Sequence, residues 1–455
     1  MRGRWETVAV TVIVLAAATA YCWDLDIQRW ANAYYSAIAQ SGAESWKAFF
    51  FGSLDPGNAT SSDKPPGAFW LMALSVRTFG LNSWSLIVPQ ALETAATILV
   101  LNRAVRRLAG PVPALLAAVA LAATPAVLAL ARYNHPDTLM TLLVVSAAYC
   151  CVRALDSERR AWLVATGVLL GLAFLSKWAV ALLPAPSFAA ALVTARRRAV
   201  RVHLRRLGLV AIAGTMTGLS WVAVVLAVPA AARPYADGSG GSLLSLVIGR
   251  DGFSRLGSGS LGPAPGNPVS GSPGVLRLFE PPFSGQVAWL LPLALSILAT
   301  VAVRSRGRLS PGLVLFGGWL VTTVLAFSAM SGAMHPYYGV LMAPAVAAVV
   351  GLGMHELRGR RERGWVGMFA AGTVAYGIAV GMTYGVPRPV LWLAGGLAVA
   401  SLSGAALVRA VRRRSSARSS LGSSPARLAA ATMAAGLLLC PMALSLETIR
   451  HPMTG

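Results

Sequence analysis

Apolar residues run along this chain in long blocks separated by short polar breaks, near 8–22, 84–102, 112–131, 138–153, 161–176, 178–195, 207–230, 286–303, 310–330, 336–355, 366–383, 388–408 and 428–446. Crossing a bilayer takes about 20 apolar residues, so the pattern predicts about 13 transmembrane helices. Two longer stretches interrupt it, 23–83 and 231–285. The first contains amphipathic pieces at 27–39 and 67–79 whose apolar faces predict helices lying along the membrane surface. The second is rich in Gly, Ser and Pro between Gly238 and Gly274, which predicts a flexible flap.

Composition agrees with the pattern. Of 455 residues 56% are hydrophobic and 12% charged, with mean hydropathy +0.63, whereas an ordinary soluble domain carries about a quarter charged residues. The chain therefore reads as an all-α polytopic membrane protein, a single transmembrane unit over 1–455. A formal charge of +23 in a soluble protein points to nucleic acid, but here the arginines fall in runs between apolar blocks, so no nucleic-acid partner is expected. With the N-terminus in the cytoplasm, the runs at 2–4, 103–107, 153–160, 196–206, 304–308, 358–363 and 409–427 hold most of the 39 Lys and Arg, and both long loops fall outside. The basic linker 409–427 then faces inward, where anionic headgroups attract it. Cys22, Cys150, Cys151 and Cys440 lie in or beside apolar blocks without metal-ligand spacing, so neither a zinc site nor a disulfide framework is expected. No small-residue cleavage site follows 8–22 before Trp23-Asp24, so that block is expected to remain as the first helix.

Polar side chains at the ends of apolar blocks are the candidates for chemistry. Ser62-Asp63-Lys64-Pro65-Pro66 sets an acid beside a base in backbone stiffened by two prolines, and a compact ammonium can clamp a phosphate. Asp55 lies eight residues earlier, across a turn at Pro56-Gly57-Asn58 that can bring both carboxylates to one site. The positive charge of Lys64 beside Asp63 suits Asp63 to a donor-side role and leaves Asp55 as the expected general base. Three further clusters fall at the same level: Arg132-Tyr133-Asn134-His135-Pro136-Asp137, then Lys177, then His335-Pro336-Tyr337-Tyr338 at the start of a helix, where an anion is welcome. Any one of these could be an aromatic belt with a snorkelling cation. Four of them at one face favour a site. Glu93 is an acid within an apolar block, where a hydrogen bond to a neighbouring helix weighs as much as a function. Asn58-Ala59-Thr60 reads as loop polarity.

The stretches Trp30-Ala31-Asn32-Ala33-Tyr34-Tyr35, Phe49-Phe50-Phe51-Gly52-Ser53-Leu54-Asp55, Asp63-Lys64-Pro65-Pro66, Asn134-His135-Pro136-Asp137, Gly285-Gln286-Val287-Ala288-Trp289-Leu290-Leu291-Pro292 and His335-Pro336-Tyr337-Tyr338 resemble the polyprenol-phosphate-sugar-dependent glycosyltransferases of the GT-C superfamily. The likeness is to family 39 in particular, the dolichyl-phosphate-mannose protein mannosyltransferase and aminoarabinose transferase group. It implies a GT-C fold and inverting transfer of a sugar, mannose by expectation, from a polyprenyl-phosphate carrier to an acceptor outside the cytoplasmic membrane, without metal or other cofactor. It places Lys64, Lys177, His335 and Arg132 on the donor phosphate, and Asn32, Tyr35, Asn134, His135, Asp137, Gln286, Tyr337 and Tyr338 around the substrate. Members of the group carry an acidic pair where this chain has Ala31-Asn32, which moves the expected base to Asp55 or Asp63. Many bacterial relatives continue into a soluble C-terminal domain, and the expectation here is a chain that works without one. A transporter or lipid flippase is the competing class, but it calls for polar residues along a path through the bilayer and often for internal repeats, whereas the polar clusters here share one face.

Overall fold

The computed structural model describes residues 4–157, 159–196, 198–237, 240–250, 272–330, 334–357, 360–414 and 424–451. Much of the Gly/Ser/Pro-rich flap, at 238–239 and 251–271, and the middle of the basic linker, at 415–423, lie outside the described residues.

After α1 (Arg4–Cys22) the first loop carries α2 (Ala33–Glu44), α3 (Trp46–Phe51), the short strand β1 (Thr60–Ser61) and α4 (Gly67–Phe79). The bundle continues with α5 (Ser83–Ala109), α6 (Pro111–Ala122), α7 (Pro125–Ala131), α8 (Asp137–Ser157), α9 (Arg160–Lys177), α10 (Ala185–Thr194) and α11 (Val200–Ala227). The second loop contributes β2 (Tyr235–Ala236), and α12 (Leu291–Arg304), α13 (Pro311–Ala329), α14 (Ala343–Glu356), α15 (Arg360–Thr383), α16 (Arg388–Arg414) and α17 (Ser424–Arg450) complete the described helices.

All thirteen apolar blocks are helical in whole or part, but they are not thirteen equal spans. Ten described helices are long and apolar enough to cross a membrane, or eleven if α6 and α7 count as one span bent by 64°. The bend follows from Pro125, which has no N–H to give and forces Thr124 out of the helical region, to φ −76° and ψ 122°. A break within an apolar span frees backbone polar groups, and each must find a partner inside the protein. The Ser445 hydroxyl of α17 donates to the Ala123 carbonyl, and the Gln286 carbonyl accepts from the Ala126 N–H at 3.0 Å. Block 178–195 is split into a 3-10 turn and the ten-residue α10, and block 286–303 gives a shorter apolar helix.

Helices α9 and α11 meet through glycines. A Cβ on Gly171 would lie 2.5 Å from the Gly214 carbonyl oxygen, so only small residues permit this approach of two backbones. Two smaller cores sit under the loops: Leu25, Tyr35, Ile38, Phe69, Met72 and Leu86 seat α2 and α4 against α5, while Phe51, Leu175, Trp178, Trp221 and Leu246 join α3, the end of α9, α11 and the second loop. The helix expected at 67–79 is α4. That expected at 27–39 starts later, at Ala33, because Leu25–Gln28 forms a 3-10 turn and Asn32 is the N-cap.

Candidate active site

Lys177 is the last residue of α9, and Trp178 behind it takes φ +50°, which ends the helix at once. The left-handed region is costly for a non-glycine residue, and the burial of Trp178 to 1% exposure holds it there. Gly67 opens α4 against the same turn: a Cβ on it would stand 2.6 Å from the Leu175 carbonyl oxygen. The Trp178 indole N–H reaches the Asp63 carbonyl at 3.4 Å. Asp63-Lys64-Pro65-Pro66-Gly67 is therefore laid directly on the end of α9, and Lys64 and Lys177, 113 residues apart in sequence, come to one end of the bundle.

Each lysine has its own aspartate. Lys64 Nζ is 2.8 Å from Asp63 Oδ2, and Lys177 Nζ is 2.6 Å from Asp137 Oδ1. Lys177 and Asp137 are 5% and 1% exposed, so their pair sits where charge is poorly screened. His135 Nδ1 faces both the Asp137 N–H at 3.4 Å and Asp137 Oδ1 at 3.5 Å, and its Nε2 is a buried atom with no hydrogen-bond partner. Burial and the Lys177 charge push His135 down to about 4, so the ring is neutral at physiological pH. Tyr337 packs edge-on to His135 with centroids 4.6 Å apart, His335 stacks on Tyr337 at 4.9 Å, and the Tyr338 centroid lies 5.3 Å from Lys177 Nζ. Tyr35 closes the cluster, its ring 5.3 Å from that of His135. The structure thus gathers Lys64, Lys177, Asp63, Asp137, His135, His335, Tyr35, Tyr337 and Tyr338. One detail differs at His335: the expected helix start is a 3-10 turn, Pro336–Leu341, and α14 begins at Ala343.

Three expected site residues are bonded into the scaffold, and a fourth supports it through its main chain. Arg132, fully buried, donates to the carbonyls of Ala20 and Tyr21 at 3.2 Å, of Asp24 and Ile449 at 3.3 Å, and of Trp23. It is a cap on the C-terminal ends of α1 and α17, where a cation also meets the helix dipole, rather than a phosphate ligand. Arg132→Ala should therefore cost more than about 2 kcal/mol of stability, since several buried carbonyls lose their donor at once. Thermal unfolding in detergent reads the loss, and a variant that unfolds normally yet binds donor poorly would return Arg132 to the phosphate. Asn32 and Asn134 bind each other: the Asn32 N–H donates to Asn134 Oδ1 at 2.7 Å, and Asn134 Nδ2 donates to the Asn32 carbonyl and to Ser36 Oγ. Asn32 Oδ1 also accepts from the Tyr35 N–H and caps α2. Gln286 supports the broken span through its main chain, and its Oε1 has no hydrogen-bond partner.

Asp55 departs from the role expected of it. The turn forms, with the Leu54 N–H on the Thr60 carbonyl and the Ser53 hydroxyl donating to Asn58 Oδ1, but the Asp55 carboxylate closes it from within. It accepts the Ala59 N–H at 3.0 and 3.1 Å and the Thr60 N–H at 3.1 Å. Those amides hold its pKa below the usual carboxylate range, which makes it a poor base. Glu93 receives the Thr138 hydroxyl at 2.7 Å, the hydrogen bond between neighbouring helices that was weighed for it.

Two further residues of the site were not singled out in the sequence, although Tyr34 lies in the stretch 30–35 that carries the family resemblance. The Tyr34 hydroxyl donates to Asp237 Oδ2 at 2.8 Å and accepts from the Asp63 N–H at 3.2 Å, and Asp237 follows β2, which pairs with β1 in parallel. Asp237 sits in no motif at all.

Residues 63–221 match the profile of the family described as dolichyl-phosphate-mannose-protein mannosyltransferase. The chain is similar to two candidate mannosyltransferases of Bacillus subtilis (strain 168): YycA, 28% identical over 78% of this chain, and YkcB, 26% identical over 81%. It spans 65% of the length of YycA and 64% of that of YkcB. Among solved structures, ArnT from Cupriavidus metallidurans bound to undecaprenyl phosphate superposes with a TM-score of 0.60 at 21% identity, covering 97% of this chain and 77% of ArnT. The archaeal oligosaccharyltransferase AglB from Archaeoglobus fulgidus, in complex with an inhibitory peptide and a dolichol-phosphate, gives 0.57 at 14% identity, covering 99% and 56%. At such identities the two structures speak to the fold, which is that of the GT-C enzymes. Both lysine–aspartate pairs fall inside the stretch that the profile matches, where the chain is similar to the dolichyl-phosphate-mannose-protein mannosyltransferases.

Proposed function

We propose that the chain transfers a sugar, with inversion, from a polyprenyl-phosphate carrier to a hydroxyl acceptor on the outer side of the cytoplasmic membrane. The observation that carries this reading is the meeting of two lysine–aspartate pairs, Lys64–Asp63 and Lys177–Asp137, at one end of the bundle beside Tyr337 and Tyr338. The phosphodiester of a sugar-loaded carrier entering between the lysines competes with the aspartates for them. In the reaction the acceptor oxygen bonds to the anomeric carbon, the bond from that carbon to the phosphate oxygen breaks, and the electron pair leaves on the phosphate. Lys64 and Lys177 meet that growing charge in a partly dry site, and no metal is called for. The acceptor proton goes to Asp63, whose carboxylate becomes available as the phosphate draws Lys64 away. Mannose is the sugar favoured by the profile and by both bacterial relatives, and the acceptor is an envelope glycan, a protein or a peptide.

Purified protein in lipid discs, given radiolabelled polyprenyl-phosphate-mannose, the glucose and aminoarabinose equivalents and a panel of acceptors, tests the proposal. Transfer from one donor is expected, and no transfer from any, with the carrier instead moved intact between leaflets, would replace the enzyme by a flippase. Orientation has its own test. Introduced cysteines at 40–60 should label from outside with an impermeant maleimide and one beside Arg198 only after permeabilisation, as the arginine bias requires. Outside labelling beside Arg198 would invert the scheme.

A further inference from the structure

The second loop comes to the candidate base through a strand pairing and the Tyr34 phenol. β2 runs parallel to β1 in the register Thr60↔Tyr235 and Ser61↔Ala236, with the Tyr235 N–H on the Ala59 carbonyl at 2.8 Å and the Asp237 N–H on the Ser61 carbonyl at 3.1 Å. This brings Asp237, from a loop some 170 residues away in sequence, alongside Ser62 and Asp63. Between them stands the Tyr34 hydroxyl, giving its proton to Asp237 Oδ2 at 2.8 Å and taking the Asp63 N–H at 3.2 Å. Its pKa is raised by burial and then by the charge of Asp63, which keeps the phenol protonated and donating. A phenol that donates to a carboxylate accepts more strongly, so each bond in the chain reinforces the other.

We propose that Asp237 and Tyr34 are positioning residues that latch the second loop to the first and fix the backbone of Asp63, and hence the direction of its carboxylate and of the Lys64 ammonium. The proposal rests on the glycosyltransferase reading for its kinetic consequence but not for its structural one, and the two are tested separately. Amide hydrogen exchange on the intact protein in lipid discs reads the latch directly. Pro65 and Pro66 carry no amide, so a peptide ending at Pro66 reports on the few N–H groups around Asp63. Tyr34→Phe and Asp237→Ala should each speed exchange there while leaving α5 and α8 unchanged, and Asp237→Asn, which keeps an acceptor oxygen for the phenol, should not. In transfer assays Tyr34→Phe and Asp237→Ala should each lower kcat by about 10- to 100-fold, the range of a hydrogen bond to a charged group, with donor KM little changed. The double variant should be no worse than either alone, because both break one chain. Unchanged exchange around Asp63 overturns the latch whatever the kinetics. Multiplying losses in the double variant, or Asp237→Asn as damaged as Asp237→Ala, overturns the positioning role, the latter because the charge of Asp237 would then act on its own. Faster exchange in variants of a protein that transfers no sugar keeps the latch and discards the glycosyltransferase reading.

Discussion

Lys177→Met should lose donor use and stability together, and the companion change Asp137→Asn should restore only the stability. The single variant leaves the Asp137 carboxylate buried at 1% exposure without its counter-charge, and breaking a buried pair from one side costs about 3–5 kcal/mol. It also removes the cation proposed for the phosphate, worth about 1.5–3 kcal/mol of donor binding or transition-state stabilisation. Lys177→Met/Asp137→Asn has no orphan charge, so its unfolding temperature should return close to that of the parent while transfer stays low. Thermal unfolding beside donor kinetics makes the separation. A double variant that regains transfer would make Lys177 a structural counter-ion and move the phosphate elsewhere.

Asp63→Asn should lower turnover by about 10²–10⁴-fold, the usual worth of a general base, with donor affinity changed far less. Asp55→Asn should keep most of its turnover, since the side-chain oxygen that remains can still accept from the Ala59 and Thr60 amides that define its present role. The pair of variants discriminates because the two carboxylates lie in one short hairpin, and a general disturbance of that loop would harm both alike. Turnover that collapses in Asp55→Asn and survives in Asp63→Asn would hand the proton to Asp55.

Much of the fold was legible because a bilayer imposes simple rules on sequence. Apolar length, arginine runs and one-sided polar clusters located the helical blocks and the end of the bundle that carries Lys64, Asp137, Lys177 and His335. Interruptions were harder to read. Pro125 marks the bend in block 112–131, yet a proline inside an apolar run is tolerated in many membrane helices, and only the partners found by Ala123 and Ala126 show that this one breaks. Arg132 was misread for a related reason, since a cation at a helix end is equally suited to an anion and to backbone carbonyls, and the sequence does not say which lies in front of it. Asp55 was misjudged because an acid that begins a turn can face outward or bond its own following amides. The Tyr34–Asp237 contact spans 203 residues, and no local pattern announces a pair so distant.

The grip of Arg132 on both α1 and α17 has a consequence for how the protein is made. As the chain leaves the ribosome, the carbonyls at the end of α1 are already in the membrane when Arg132 arrives, but the Ile449 carbonyl follows 317 residues later. The Ser445 hydroxyl that satisfies the broken span is equally late. Until α17 inserts, the bend between α6 and α7 lacks that partner, and the segment from Arg132 to Asp137 hangs from it. Synthesis therefore delivers the parts of the site before the α17 contacts that secure them, so an unfinished chain already carries both lysines before the framework that aims them is closed.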